Sequence, residues 1–374
     1  MTTYWQPESL AGLTIEPGQE LEVFDANSLQ CIDKERWYWD QCPVCDEGGQ
    51  PVSFGAMELW ITLSAPAMTP PESRHDYVRM RLLTRTEGYW QDWGNLLPDG
   101  FSIGSCEWAG AANVDRNGVF TLYYTVKGTA GEASPTYCQR IFAAQAKLAM
   151  DAQTPRLSHW MDLGEQIRAD GSWYELAFER SGEMGGIKAF RDPFWLRDVV
   201  SGREYLLFAA SAVEASTKKN AAIGIASREH SCDPWELHPP LLIADGVTNE
   251  MERPHLLHSN GLYYLFWSVH GWTFDQSLGA PTALYGMVSE SLDQPFRPLN
   301  ETCLVAANPT QAKFQAYSWL VDVNLQVCSF VDLPDGQIDD APSAPAYPQG
   351  TFRGGFAPDF FLTLDGTKAG IRRS

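Results

Sequence analysis

Four times along this chain a turn closed by glycine runs straight into aromatic and β-branched residues, and no other feature constrains the fold as tightly. Asp115-Arg116-Asn117-Gly118 leads into Val119–Val126, and Ala169-Asp170-Gly171 leads into Ser172–Phe178. Ser201-Gly202 leads into Glu204–Ala210, and Ser259-Asn260-Gly261 leads into Leu262–Ser268. Glycine supplies the positive φ that tight hairpin turns need, and the residues that follow suit a pleated, half-buried surface. Many short strands of this kind build a sandwich, a barrel or a propeller. Loose self-similarity over 374 residues favours a propeller, so the expected class is all-β. The repeat is too ragged to count blades from it.

An all-β unit of this size holds together as one piece, so residues 1–374 are read as a single domain. Helical periodicity is weak: Thr136–Met150 is the best helical stretch, but its β-formers fit a strand and a turn equally well. Residues 332–350, rich in Pro and Asp, read as a surface loop whose acidity serves solvation. The tail after Gly366 reads as loose.

The balance of 27 basic and 47 acidic residues gives a formal charge of −20, which excludes nucleic acid and anionic membranes as natural partners and favours a neutral or cationic ligand. No run is long enough for a transmembrane helix, and the start, Met1–Pro7, has neither the basic nor the apolar part of a secretory leader. That leaves a cytoplasmic location, an unconventional export route or a leader already removed. Eight cysteines are scattered, and only Cys42-Pro43-Val44-Cys45 has a C-x-x-C form. Without a second such pair or a His pair it is not a zinc site, and a structural role is expected, with a local disulfide as the next reading.

Three carboxylates have chemically loaded neighbours. Asp40 follows Trp37-Tyr38-Trp39, an aromatic wall of the kind that stacks on sugar faces. Asp192 lies between Arg191, whose charge would keep it ionised, and the rigid Pro193. Glu252 follows Glu250 by two positions, which on a strand puts both on one face, with Arg253 beside them. A glycosidase needs two such groups, one ionised as nucleophile and one holding a proton for the leaving group.

As a set and in order, the motifs resemble glycoside hydrolase family 68, the levansucrase, inulosucrase and bacterial β-fructofuranosidase group, in its Gram-negative type. They are Trp39-Asp40 with Pro43, Glu107-Trp108-x-Gly110, Phe190-Arg191-Asp192-Pro193, Glu250-x-Glu252-Arg253-Pro254-His255 and Gln315-Ala316-Tyr317-Ser318. Gly48–Phe54 and Gly354–Pro358 match as well, so the likeness covers nearly the whole chain.

The resemblance implies a five-bladed β-propeller with a central acidic pocket, acting on sucrose with retention. It makes Asp40 the nucleophile, Asp192 the transition-state stabiliser and Glu252 the acid/base. Trp39, Trp108, Arg191, Glu250, Arg253 and Tyr317 would line the sucrose subsites, and His270 would influence acceptor handling. The implied partners are sucrose and the fructosyl acceptors sucrose, fructan and water. No cofactor is required. Some members carry a structural Ca²⁺, but no compact Asp/Asn-rich loop here demands one. The resemblance also points to an extracellular location.

Departures from the family pattern matter. Cys42 stands where the family has a second tryptophan, which alters packing beside Asp40 and opens it to water. Ala109 stands where the family has a serine that bonds the nucleophile, and losing such a bond raises the carboxylate's pKa. Gly185–Ala189 lacks the polar residue that contacts an acceptor. The first reading is therefore a sucrose-cleaving fructosyltransferase. A β-fructofuranosidase that mainly hydrolyses sucrose is the alternative, and a carbohydrate-binding propeller without turnover is the third.

Overall fold

The computed structural model describes residues 1–67, 70–177, 187–338 and 348–373. Its strands form five main sheets, each following the chain from an inner strand outward, in the arrangement of a five-bladed β-propeller. The inner strands are Arg36–Pro43, Cys106–Val114, Phe190–Arg197, Glu252–Ser259 and Ala316–Val321, in blades one to five. Each packs beside the inner strand of the next blade, and the first blade meets the second strand of the fifth, Gln326–Val331.

The turn-and-strand units of the sequence are the inner hairpins of these blades. Val119–Lys127, Glu204–Ser211 and Leu262–Val269 are the second strands of blades two, three and four, each antiparallel to the inner strand before it. The first blade makes this connection through a longer excursion to Met57–Pro66, and the fifth turns without glycine at Asp322–Leu325, where Leu325 has φ +62°. The repeat therefore looked ragged because only three of the five hairpins carry the glycine turn.

The chain departs from expectation at Ser172–Ala177 and at its tail, and it resolves two readings left open, at 136–150 and at the cysteine pair. Ser172–Ala177 is not a strand, because the Asp170 carboxylate captures the N–H groups of Ser172, Trp173 and Tyr174 at 3.0–3.1 Å and leaves one bridge, Tyr174 to Ala212. Phe178 lies outside the described residues. The ambiguous stretch 136–150 resolves as a strand, Gln139–Asp151, in a long hairpin with Thr154–Ile167. The tail is ordered: Lys368–Ile371 pairs with Phe360–Asp365, and the Ile371 N–H donates to Gly18 at 2.8 Å. All eight cysteines are free, so Cys42 and Cys45 form no local disulfide.

In the 332–350 segment, Gln337–Ile338 pairs with Pro348–Gln349, residues 339–347 lie outside the described set, and Asp332 is buried rather than a solvated surface acid.

Among the described residues no strand is shared between the first and last blades. The ring closes there by the Gly355 N–H donating to Tyr38 at 2.7 Å and by Gln41 Nε2 donating to the Ser329 carbonyl at 2.6 Å. The N-terminal segment instead lies against blades three to five. Thr3–Tyr4 adds to the outer strand of the third, Leu21 bonds Ala307 of the fourth, and Gly18 meets the fifth. Trp5 is driven into the core between blades three and four, edge-on to Trp267 at 5.1 Å. Among the described residues no helix is long and apolar enough to cross a membrane.

His255 locks the fourth blade to the fifth. It is fully buried; its Nε2 accepts the Val321 N–H at 2.9 Å, so Nδ1 carries the proton and donates to the Arg253 carbonyl at 2.9 Å. Burial holds it neutral by lowering its pKa to about 3. His255→Leu strands one buried donor and one buried acceptor, each costing about 1–3 kcal/mol. The variant should lose on the order of 2–5 kcal/mol in denaturant unfolding, and a loss below about 1 kcal/mol would contradict this account.

Candidate active site

Every inner strand carries a one-residue bulge, and the five bulges stand at equivalent positions. Pairing slips between Trp39 and Cys42, Trp108 and Gly110, Arg191 and Phe194, Glu252 and His255, and Tyr317 and Leu320. At four of them the residue at the slip is left-handed: Asp40 (φ +52°), Asp192 (+58°), Arg253 (+48°) and Ser318 (+61°). Such φ values are costly for non-glycine residues and cluster where function holds them in place. In the second blade Ala109 is the unpaired residue but is not left-handed, and next to it Gly110 pairs with Tyr124. A Cβ there would stand 2.2 Å from the Tyr123 carbonyl. Bulges re-aim side chains, and here they gather charged groups from separate blades.

Arg191, Asp192, Glu250, Glu252 and Arg253 come together as the sequence proposes. Arg191 Nη2 lies 2.8 Å from Glu252 Oε1 and 3.5 Å from Glu250 Oε1, so the two glutamates do share a face. Arg191 reaches Asp192 less closely, at 3.8 Å. Its charge does not keep Asp192 low: burial, with Glu252 and Asp40 nearby, pushes Asp192 up to about 7 against the pull of Arg191. Burial and Glu252 push Glu250 up to about 7 in the same way.

Asp192 is held by its own N–H donating to Thr125 Oγ1 at 3.0 Å and by the Arg253 N–H donating to Oδ2 at 3.2 Å. Arg253 spans the centre: Nη2 donates to the Gln41 carbonyl at 3.0 Å, Nη1 to Ser318 Oγ at 3.3 Å, and Nη1 stands 4.0 Å from Asp40 Oδ1. Burial raises the pKa of Asp40, while Arg253 and the Ser318 hydroxyl oppose it. The hydrogen bond expected to be missing at Ala109 thus has a counterpart from the fifth blade. Ser318 stands in the quoted motif but received no role, because nothing local marks it as left-handed.

Cys42 and Ala109 line a small cavity with Asp192, Arg253 and Phe194. A larger apolar cavity of about 100 Å³ is lined by Cys42, Cys45, Ala111, Leu256 and Val321.

The aromatic walls divide by strand alternation. Trp39 is buried edge-on to His75 at 6.0 Å, whereas Tyr38 points the other way, its hydroxyl donating to Asp92 at 2.7 Å. Tyr38 is therefore not part of the sugar wall. Trp108 Nε1 donates to the His75 carbonyl at 3.1 Å. His270 lies stacked between Tyr317 and Trp272, and burial with Arg74 nearby holds it neutral. Arg74, His75 and Asp332 were not proposed from sequence. Arg74 and His75 sit on a four-residue helix whose charged residues read locally as a solvated turn.

Several buried polar atoms at this centre have no hydrogen-bond partner among the described residues: His270 Nδ1, Trp272 Nε1, Gln41 Oε1 and Asp332 Oδ2. Unsatisfied buried polar groups are costly, and a polyhydroxy ligand would satisfy such a set. Among the described residues no group of three or more His, Cys, Asp or Glu is placed to hold a metal ion.

The chain matches the family described as Levansucrase/Invertase over residues 22–220 and 212–367. The protein belongs to this family. It is 31% identical to a levansucrase of Zymomonas mobilis, with 85% of this chain and 80% of that one covered, and 28% identical to a levansucrase of Erwinia amylovora, with 80% of each covered. The solved inulosucrase from Halalkalicoccus jeotgali bound to kestose is 31% identical, superposes with a TM-score of 0.88 and covers 99% of this chain and 95% of that one. A Bacillus subtilis levansucrase in complex with oligosaccharides, at 18% identity and a TM-score of 0.80, shares the propeller, with 100% of this chain and 95% of that one covered.

For this levansucrase/invertase-family chain the raised carboxyl pKa values set a stability trend. A carboxyl whose folded pKa exceeds its unfolded value stabilises fully below the unfolded value near 4, and that contribution is lost as pH rises through about 7. Asp192→Asn, which cannot ionise, should therefore raise Tm more at about pH 7.5 than at about pH 5. Thermal melts at both pH values check this, and an equal gain at both would refute it.

Proposed function

We propose that the protein is a retaining, sucrose-cleaving fructosyltransferase that passes fructosyl units to sucrose, fructan or water. The observation that carries this reading is the row of equivalent bulges, which presents Asp40, Asp192 and the Glu252–Arg253 pair at one centre in a member of the levansucrase/invertase family. Levansucrases and a kestose-bound inulosucrase among its relatives support the same substrate class.

Asp40 is the nucleophile. Its carboxylate attacks C2 of the fructosyl unit and displaces the glucosyl oxygen, which takes its proton from Glu252. Glucose leaves, and an ester joins C2 to Asp40. Glu252 then takes a proton from water or an acceptor hydroxyl as that oxygen attacks C2 and frees Asp40. Two inversions give net retention.

Arg253 and Ser318 favour the ionised form of Asp40. Arg191 fixes the direction of Glu252. Asp192, aligned by Thr125 and the Arg253 N–H, accepts hydrogen bonds from fructosyl hydroxyls that strengthen as positive charge grows on the ring. Trp39, Trp108, Glu250, His270 and Tyr317 complete the donor and acceptor walls. No cofactor belongs to this chemistry, and the levansucrase relatives support an extracellular location.

The gap beside Cys42 and Ala109 favours hydrolysis as a competing outcome. Time-resolved sugar release from concentrated sucrose tests both points. Glucose should exceed free fructose for a transferase, and equal amounts would make the protein a β-fructofuranosidase. Asp40→Ala should abolish release, and Glu252→Gln should slow it by about 10²–10⁴-fold. Absence of glucose from the wild type would overturn the proposal and leave a binding propeller.

A further inference from the structure

Asp332 follows the second strand of the fifth blade and is only 4% exposed. Its backbone is fixed on both sides: its N–H donates to the Gln315 carbonyl at 3.0 Å, and its carbonyl accepts the Arg353 N–H at 3.0 Å. Its Oδ2 has no hydrogen-bond partner, and its carboxylate has no cationic side chain within 4.0 Å, among the described residues. A buried carboxyl in that condition is costly to a fold that gains nothing from it.

The charges that face it are those of the catalytic centre. Arg74 is its nearest compensating charge, and Glu252 and Asp40 act on it from the other side. Arg74 is held flat, its Cζ 3.9 Å over the Phe352 ring and 5.6 Å from Trp39, with Nη1 donating to the Pro71 carbonyl at 3.1 Å. Its Nε is likewise buried without a partner. Asp40 and Glu252 also act on Arg74.

The pocket therefore has two cation–carboxylate walls. Arg191 with Glu250 and Glu252, from blades three and four, closes one side. Arg74 and Asp332, from blades one and five, form a second pair, and neither Arg74 Nε nor Asp332 Oδ2 has a hydrogen-bond partner among the described residues. An acceptor oxygen and a donor nitrogen held apart on rigid supports match adjacent hydroxyls of a sugar.

We propose that Asp332, with Arg74, is a binding and specificity-determining pair that holds hydroxyls of the fructosyl unit seated over Asp40. This rests on the proposed sucrose-cleaving function. The fructosyl unit is assigned because Arg74 lies against Trp39, the residue preceding the nucleophile, and Asp332 is anchored to Arg353, next to the Phe352 ring on which Arg74 rests. Burial raises Asp332 to about 7, which lets its carboxyl take or give a hydrogen bond to a hydroxyl near neutral pH.

The test uses Asp332→Ala and Asp332→Asn with two fructosyl donors that differ only beyond fructose, sucrose and raffinose. The expected result is a drop in kcat/KM of at least about tenfold for Asp332→Ala, equal for both donors and partly recovered in Asp332→Asn, with Tm unchanged or raised. A drop below threefold overturns the proposal. A fall in activity that follows a fall in Tm makes Asp332 structural and also overturns it. A loss confined to one donor moves the contact to the leaving-group side and overturns the fructosyl assignment.

Calorimetric titration of sucrose into Asp40→Ala and into Asp40→Ala/Asp332→Ala separates this from the function itself. At least about tenfold weaker binding in the double variant supports the pair even if the wild type turns nothing over. Equal binding in the two removes it.

Discussion

The centre of this propeller depends on Arg253. It occupies a left-handed bulge position, and from there its N–H reaches Asp192 of the third blade while its guanidinium reaches Gln41 of the first and Ser318 of the fifth. Asp192 in turn binds Thr125 of the second. One continuous set of hydrogen bonds thus passes through all five blades at the level of the chemistry. This set offsets the strain of four left-handed residues, since each is over-determined by a neighbour in another blade. Ring closure and active-site alignment are consequently one problem, and Gln41, which also bonds Ser329, takes part in both.

That arrangement concentrates acid at a place where water is scarce. Asp40, Asp192, Glu250 and Asp332 all have their pKa values raised by burial, with only a few guanidinium groups among them to compensate. A fold that wanted only stability would replace several of these with apolar residues. Holding them together is a cost met by the large inter-blade cores, and it is returned as a site where one carboxylate can attack while another carries a proton. At Asp40, Arg253 and Ser318 oppose the effect of burial and so favour the ionised form that a nucleophile needs.

Much of this was legible in the sequence, for identifiable reasons. The glycine turns before Val119, Glu204 and Leu262 marked real hairpins because a two-strand turn is a local event. Ala169-Asp170-Gly171 misled because the Asp170 side chain bonded three backbone N–H groups that a strand would have needed. The carboxylates stood out because Pro and Arg accompany them. Asp332 did not, since its neighbours Leu333, Pro334, Asp335 and Gly336 spell a surface turn, and only the closing of the fifth blade on the first turns its side chain inward. Arg74 was hidden for the same reason: its importance comes from Phe352 and Asp332, far along the chain.

The five-fold equivalence also explains why single departures from a family pattern need not decide activity. Positions 40, 109, 192, 253 and 318 are structural counterparts that face one axis, so a hydroxyl lost at 109 leaves another at 318 directed toward the same carboxylate. Ala109 departs further still: it is the unpaired residue of its bulge but lacks the left-handed backbone of its counterparts, and beside it the missing Cβ of Gly110 lets the neighbouring strand close in. What cannot be exchanged between blades is volume: among the described residues a small cavity remains beside Cys42, Ala109 and Phe194. The chemical groups of the site are thus buffered by symmetry, while its packing is not, and differences between members of such a family should show first in how water and acceptors are admitted.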